Sequence, residues 1–98
     1  MTADQDHQSG LEQFYRQLLH AEIAIGITYA RLARTAYTDG HVLHGNRIAA
    51  MASNAKAEVT RWLEDAEESG WDMADVTEEY QCLRAALMTL PPALQPAA

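Results

Sequence analysis

Apolar residues recur along the first part of the chain at the spacing of an α-helix. From Leu11 to Tyr37 they return every three or four residues, which aligns them along one long helix at about 100° per residue. Together they cover more of the circumference than the roughly 100° stripe that one packing partner needs. They form two lines, the first of Leu11, Phe14, Leu18, Ile25, Tyr29, Leu32 and Ala36, and the second of Leu19, Ile23, Ile27 and Ala30.

We predict that the first line packs inside the chain and that the second line forms a seam with a second copy of the protein. Each Leu or Ile buried in such a seam contributes about 1.5–3 kcal/mol, and a two-fold seam uses every residue twice. Association would also help a chain of 98 residues, a size at which a single core is only just sufficient. The polar residues expected to keep the remaining side of the helix in water are Arg16, His20, Arg31 and Arg34.

Local signals mark the starts of two helices. Ser9 followed three residues later by Glu12 is a capping-box pattern, in which each residue satisfies a free backbone N–H near the other. The first helix is therefore expected over about residues 10–38. Asp75 and Glu78 have the same spacing, so they predict the start of another helix.

Two glycines divide the rest of the chain. Gly40 and Gly70 suit the left-handed position that ends a helix, so further helices are expected over about 42–68 and 75–90. The turn at Gly40 is short, and a short turn makes the first two helices antiparallel neighbours. The predicted domain organisation is a disordered tail at 1–8, a single helical domain at 9–90 and a loose tail at 91–98.

These elements predict an all-α fold, a long antiparallel helical hairpin with a short third helix, which pairs as a homodimeric bundle of four-helix type. A hydrophobic content of 48% excludes a disordered chain. We expect a soluble, cytoplasmic protein, because no stretch resembles a signal peptide and no apolar run approaches the roughly 20 residues of a membrane span. The single Cys82 excludes an internal disulfide and a thiolate cluster.

Charge is distributed unevenly along the chain, whose net charge is -7. The segment from Glu64 to Glu79 holds eight acidic residues and no basic one. Nucleic acid is not an expected partner, because no dense basic face is available to displace counterions from phosphates. The acidic segment is interpreted as a solvated rim, with contact to a basic protein or a hard cation as the alternatives.

Glu22 departs from the pattern of a simple bundle, because it lies among the apolar residues near the middle of the first helix. A buried carboxylate without a partner is costly. If the hairpin turns near His41, Glu22 lies at about the level of residue 60 on the second helix. We therefore predict a buried ion pair between Glu22 and Arg61, with Glu58 as a further neighbour.

The same place allows a metal site. A hairpin with Glu22 on one helix and Glu58-Val-Thr-Arg61 on the next resembles the ferritin-like carboxylate proteins, which carry Glu on one helix and Glu-x-x-His on another. The resemblance implies iron binding at Glu22 and Glu58, with Arg61 where that family has His. His41 and His44 form a second candidate, for zinc, nickel or copper. We expect instead that His44 packs near the turn and that His41 is in water.

No serine or cysteine stands in a recognisable pattern with His and Asp, so no catalytic residues are predicted. The sequence favours a non-enzymatic module for oligomerisation or protein interaction, without a cofactor. Its expected partners are a second copy, as a dimer or higher oligomer, and another protein; no membrane partner is expected. The alternative is a ferritin-like protein that binds iron at a degenerate carboxylate site, and the alternative cofactors are iron or zinc.

Overall fold

The protein is a bundle of three α-helices. The computed structural model describes residues 3–91, with side chains from residue 10 onward, and this range contains no β-strand. Residues 1–2 and 92–98, which include most of the predicted C-terminal tail, lie outside the described residues. The predicted all-α fold is confirmed, with helix α1 at Ala3–Thr38, helix α2 at Val42–Glu68 and helix α3 at Ala74–Met88.

The first helix is longer than expected at its N-terminal end. α1 begins at Ala3 rather than at about residue 10, so Ser9 lies inside the helix and not at its N-cap. Most of the stretch predicted as a disordered tail is therefore helical.

Both long helices end at the predicted glycines. Gly40 and Gly70 have φ angles of 83° and 76°, in the left-handed region. After α2, the N–H of Trp71 donates to the carbonyl of Ala66 at 3.1 Å, and the same bonding pattern follows α1. This is a Schellman motif, which stops a helix within one residue. The resulting turns fold each helix back along the preceding one.

The predicted cap of the third helix is wrong. α3 begins at Ala74, and the carboxylate of Asp72 accepts a hydrogen bond from the N–H of Ala74 at 3.1 Å. Asp75 lies inside the first turn instead of at the N-cap.

The core lies where the three helices meet. Leu19 of α1, Val59 of α2 and Leu83 of α3 are fully buried and belong to one cluster. Small residues bring the helices close together: a Cβ atom built on Gly26 would lie 3.0 Å from Leu83 Cδ1 and 3.2 Å from Ala55 Cβ. The buried apolar residues are Leu19, Ile23, Ala30, Ala33, Ala36, Ala52, Ala55, Val59, Leu63, Ala66, Met73, Val76 and Leu83.

The burial of the two apolar lines of α1 differs from the prediction. The line expected to pack inside the chain is largely exposed, with Phe14 exposing 59% and Leu32 exposing 50% of its surface. The other line is covered within the chain, because α3 inserts Leu83 beside Gly26 on that side of the helix. The predicted dimer seam is therefore wrong: Leu19, Ile23 and Ala30 are buried inside one chain, and Ile27 packs against the same core.

Within residues 3–91, no helix combines the length and the apolar content needed to cross a bilayer.

Candidate functional site

The side of α1 that faces away from α3 carries a long apolar stripe. Leu11, Leu18, Ile25 and Leu32 follow one another at intervals of seven residues, and Phe14 lies between the first two. A seven-residue repeat keeps apolar side chains on one side of a helix, where a second helix can pack against them. The stripe extends roughly 32 Å along the helix axis at 1.5 Å per residue.

Part of α2 continues this surface. Met51 is exposed. Glu58 and Trp62 follow it by 7 and 11 residues, so the three side chains lie on one side of α2. Glu58 and Trp62 line the same groove as Glu22 of α1. We call the resulting surface the open face, formed by Leu11, Phe14, Leu18, Ile25 and Leu32 of α1 with Met51 of α2.

The groove at the middle of the open face is small. It is lined by Leu19, Glu22, Glu58, Val59 and Trp62 and has a volume of about 160 Å³. Small-molecule sites usually enclose roughly 300–1,000 Å³. The groove is therefore a shallow depression between two helices.

The predicted ion pair between Glu22 and Arg61 is wrong. The Nη2 atom of Arg61 donates to Oε2 of Glu58 at 2.7 Å, one turn earlier on the same helix, and these side chains are 65% and 51% exposed. Glu22 is half-buried at the edge of the groove. Among the side chains described, no polar or charged residue is buried. Arg61 pairs with Glu58 because that carboxylate lies on the same helix, three residues earlier, and no contact with α1 is needed.

The four predicted metal ligands lie in two separate places. Glu22 and Glu58 line one groove, whereas His41 and His44 are exposed beside the turn between α1 and α2. The expectation that His44 packs near the turn is wrong. In the part of the chain with described side chains, no group of three or more His, Cys, Asp or Glu residues is arranged to hold a metal ion.

A charged cluster joins α1 to α3, and the sequence pattern did not reveal it. The Nε2 atom of His20 lies 3.0 Å from Oδ2 of Asp75, and its Nδ1 atom hydrogen-bonds Glu79. One turn earlier, Arg16 donates from Nη2 to the carbonyl of Asp72 at 2.6 Å. Its Nε atom lies 3.3 Å from Oδ1 of Asp75, close enough for charge attraction but not aligned as a hydrogen bond. The prediction that Arg16 and His20 face water is therefore wrong, because both side chains are partly buried against α3.

The electrostatics of this His20 cluster favour charged groups. The hydrogen bond to Asp75 and the contacts with Glu79 raise the pKa of His20 above its ordinary value of 6.5, although burial opposes this shift. The same bond, with a smaller contribution from Arg16, lowers the pKa of Asp75 below its ordinary value of 3.8. With a carboxylate at each ring nitrogen, the imidazolium form can donate two hydrogen bonds. The cluster thus fastens the first two turns of α3 to α1.

Comparison with known proteins found no match among protein families, curated proteins or solved structures. The function is therefore inferred from the geometry and chemistry of the chain itself. The open face and the His20 cluster lie on different sides of α1, since the cluster contacts α3 and the stripe points away from it.

Proposed function

We propose that this protein is a non-enzymatic oligomerisation module whose open face binds a second copy of the chain. The observation that carries the proposal is the row of exposed large apolar side chains on α1. Leu11, Phe14, Ile25 and Leu32 are all exposed although each is large and apolar. Scattered exposed apolar residues are normal, but a contiguous apolar patch usually marks an interaction site.

A helix is the partner that suits this surface best. The stripe is long and narrow, and its seven-residue repeat matches the repeat with which helices pack side by side. The groove beside it, of about 160 Å³, has room for single side chains and not for a large ligand. A second copy provides the same stripe, so a two-fold pairing covers both stripes at once and uses each apolar residue twice.

Sedimentation velocity over a micromolar concentration series tests the proposal. The unchanged protein should sediment as a species of twice the chain mass of 10.9 kDa. A double variant, Ile25→Gln with Leu32→Gln, should weaken association at least tenfold while circular dichroism shows the same helix content. Met88→Gln is the matched control, because Met88 is 80% exposed on α3 and lies outside the open face. A folded single chain of the unchanged protein, or equal weakening by the control, would contradict the proposal.

Metal binding at the groove is the second candidate function. It is favoured by one observation, that Glu22 and Glu58 line the same depression. Two carboxylates leave most of the coordination sphere of iron or zinc to other donors. Titration of untagged protein with Fe(II) and Zn(II) should show stoichiometric binding, lost in Glu22→Gln, if this function is correct. Absence of saturable binding would reject it.

A further inference from the structure

Charge is separated along the long axis of the bundle. Gly26, Ala55 and Leu83 lie at one level, because a Cβ on Gly26 would contact both of the others. The part between this level and the α1–α2 turn holds four basic side chains and one acidic side chain, Asp39, a net charge of +3. Since the whole chain carries -7, the remaining part carries -10. We call the first part the turn end and the remaining part the acidic end. The four basic residues of the turn end are Arg31, Arg34, Arg47 and Arg84.

This separation distinguishes the two ways in which the open faces of two copies can pair. Parallel pairing would set the two acidic parts side by side, and like charges placed together oppose association. Antiparallel pairing sets the basic turn end of each copy beside the acidic part of the other. The inference rests on the proposed function, since it specifies how the second copy binds.

We infer that two copies pair antiparallel through their open faces, with the basic turn end of each copy beside the acidic end of the other. The position of the stripe agrees with this geometry. Its midpoint is near Glu22, so a two-fold axis there would bring Leu11 of each copy near Leu32 of the other and Leu18 near Ile25. Large apolar side chains then meet along the whole stripe.

Charges at the edge of the open face follow the same scheme. Arg47 and Asp65 lie on the side of α2 that carries Met51 and Glu58, because helical spacing places all four within one stripe. Arg47 lies towards the turn and Asp65 towards the acidic end, and both are exposed. In an antiparallel pair, the turn end that carries Arg47 faces the end that carries Asp65.

Spin-label distance measurements test the orientation. Cys82 is exposed and would be replaced by Ser, and a single label would then be placed at Thr35→Cys or, separately, at Ala24→Cys. In an antiparallel pair the Thr35 labels lie roughly 40 Å apart along the helix axis, at 1.5 Å per residue. The Ala24 labels lie close together, because Ala24 is near the two-fold axis that relates the copies. Short distances at both positions would overturn the antiparallel inference and leave the proposed function standing.

Charge reversal provides a second measurement with a matched control. Arg31→Glu with Arg34→Glu removes the basic turn end and should weaken association about tenfold in an antiparallel pair. Adding Glu67→Lys and Glu68→Lys, at two exposed sites of the acidic end, reverses the charge of that end as well, so the fourfold variant should regain most of the lost association. In a parallel pair, Arg31→Glu with Arg34→Glu would instead leave association unchanged or tighter, because it reduces the like charge that the two turn ends bring together. If sedimentation finds only single chains of the unchanged and labelled proteins, the proposed function fails together with the inference.

Discussion

The Nε2 atom of His20 on α1 lies 3.0 Å from the Oδ2 atom of Asp75 on α3, a contact between residues 55 positions apart in the sequence. α3 has 15 residues, a length at which an isolated helix is marginal in water. Its stability therefore depends on contacts with the hairpin. His20 provides one of these contacts by holding Asp75 and Glu79 of the first two turns.

We expect the free energy of unfolding to depend on pH through this contact. The raised pKa of His20 means that its stabilising effect is complete below pH 6.5 and is lost as pH rises through the folded-state pKa. The lowered pKa of Asp75 means that its effect is present above pH 3.8 and is lost as pH falls through its folded-state pKa. Stability from the pair should thus be greatest between these values.

Urea unfolding of the protein and of His20→Gln at about pH 5.5 and about pH 8.5 measures this effect. Between the lower and the higher pH, the free energy of unfolding should fall more in the unchanged protein than in the variant. The difference should be at most about 1 kcal/mol, because the groups are partly exposed to water. His44→Gln is the control, since His44 is exposed beside the turn. An equal decline in the His20 variant would show that another group carries the pH dependence.

Gly26 should be intolerant of a side chain. Gly26→Ala would set its methyl group 3.0 Å from Leu83 Cδ1 and 3.2 Å from Ala55 Cβ, and Leu83 is fully buried. We expect a net loss of about 1 kcal/mol, because overpacking of a core outweighs the gain in helix propensity. Gly10→Ala is the matched control: nothing lies within 4 Å of its Cβ position, so it should stabilise the protein by about 0.5–1 kcal/mol. Equal effects of both changes on urea unfolding would contradict the close contact.

Gly45 makes room for the ring of Tyr37 near the turn. A Cβ on Gly45 would lie 2.6 Å from Tyr37 Cδ1, while the Tyr37 hydroxyl donates to Oδ1 of Asn46 at 2.6 Å and holds the ring in place. Gly45→Ala should therefore cost about 1–3 kcal/mol of stability. In a double-mutant cycle with Tyr37→Ala, most of this cost should disappear. Additive effects would show that the ring is not what excludes the methyl group.

Glu22→Gln should barely change the stability of the single chain, because Glu22 lies half-buried at the groove and Arg61 pairs with Glu58 instead. It should strengthen self-association by roughly 0.5–1 kcal/mol, since like charges near the two-fold axis of the pair oppose one another. Thermal unfolding at a concentration where the chain is monomeric measures the first effect, because association would itself raise the apparent stability, and sedimentation equilibrium measures the second. Glu64→Gln, an exposed site outside the groove, should leave association as it is. A clear loss of stability in Glu22→Gln would contradict this expectation and show that the Glu22 carboxylate has a stabilising partner within the chain.

The C-terminal ends of the two long helices follow from local signals, whereas the starts of α1 and α3 and the packing of α1 do not. Gly40 and Gly70 specify the ends of both long helices by their left-handed backbone. The apolar pattern gives α1 two lines of similar hydrophobicity, and hydrophobicity alone does not decide which one the chain covers. Side-chain size held the answer: Gly26, Ala30 and Ala33 lie on the covered side, where they allow α2 and α3 to approach closely.

The His20 cluster had only a weak signal in the sequence. Arg16 and His20 are four residues apart on α1, and Asp75 and Glu79 are four apart on α3, so each pair lies on one side of its helix. Complementary spacing of this kind permits a contact, but many other alignments of two helices satisfy it. The contact becomes specific only when the turn after α2 sets where α3 begins.

The meeting of Leu83 with Gly26 also selects one axial alignment of the three helices. A slip of α3 by one turn along α1, about 5.4 Å, would set Leu83 against Glu22 or Ala30 instead of Gly26, which has no Cβ atom. Neighbouring alignments would then lose this fit and separate His20 from both of its carboxylates at the same time. The space at Gly26 thus accepts Leu83 in one alignment, which sets the axial position of α3 although the apolar faces of the helices are long and repetitive.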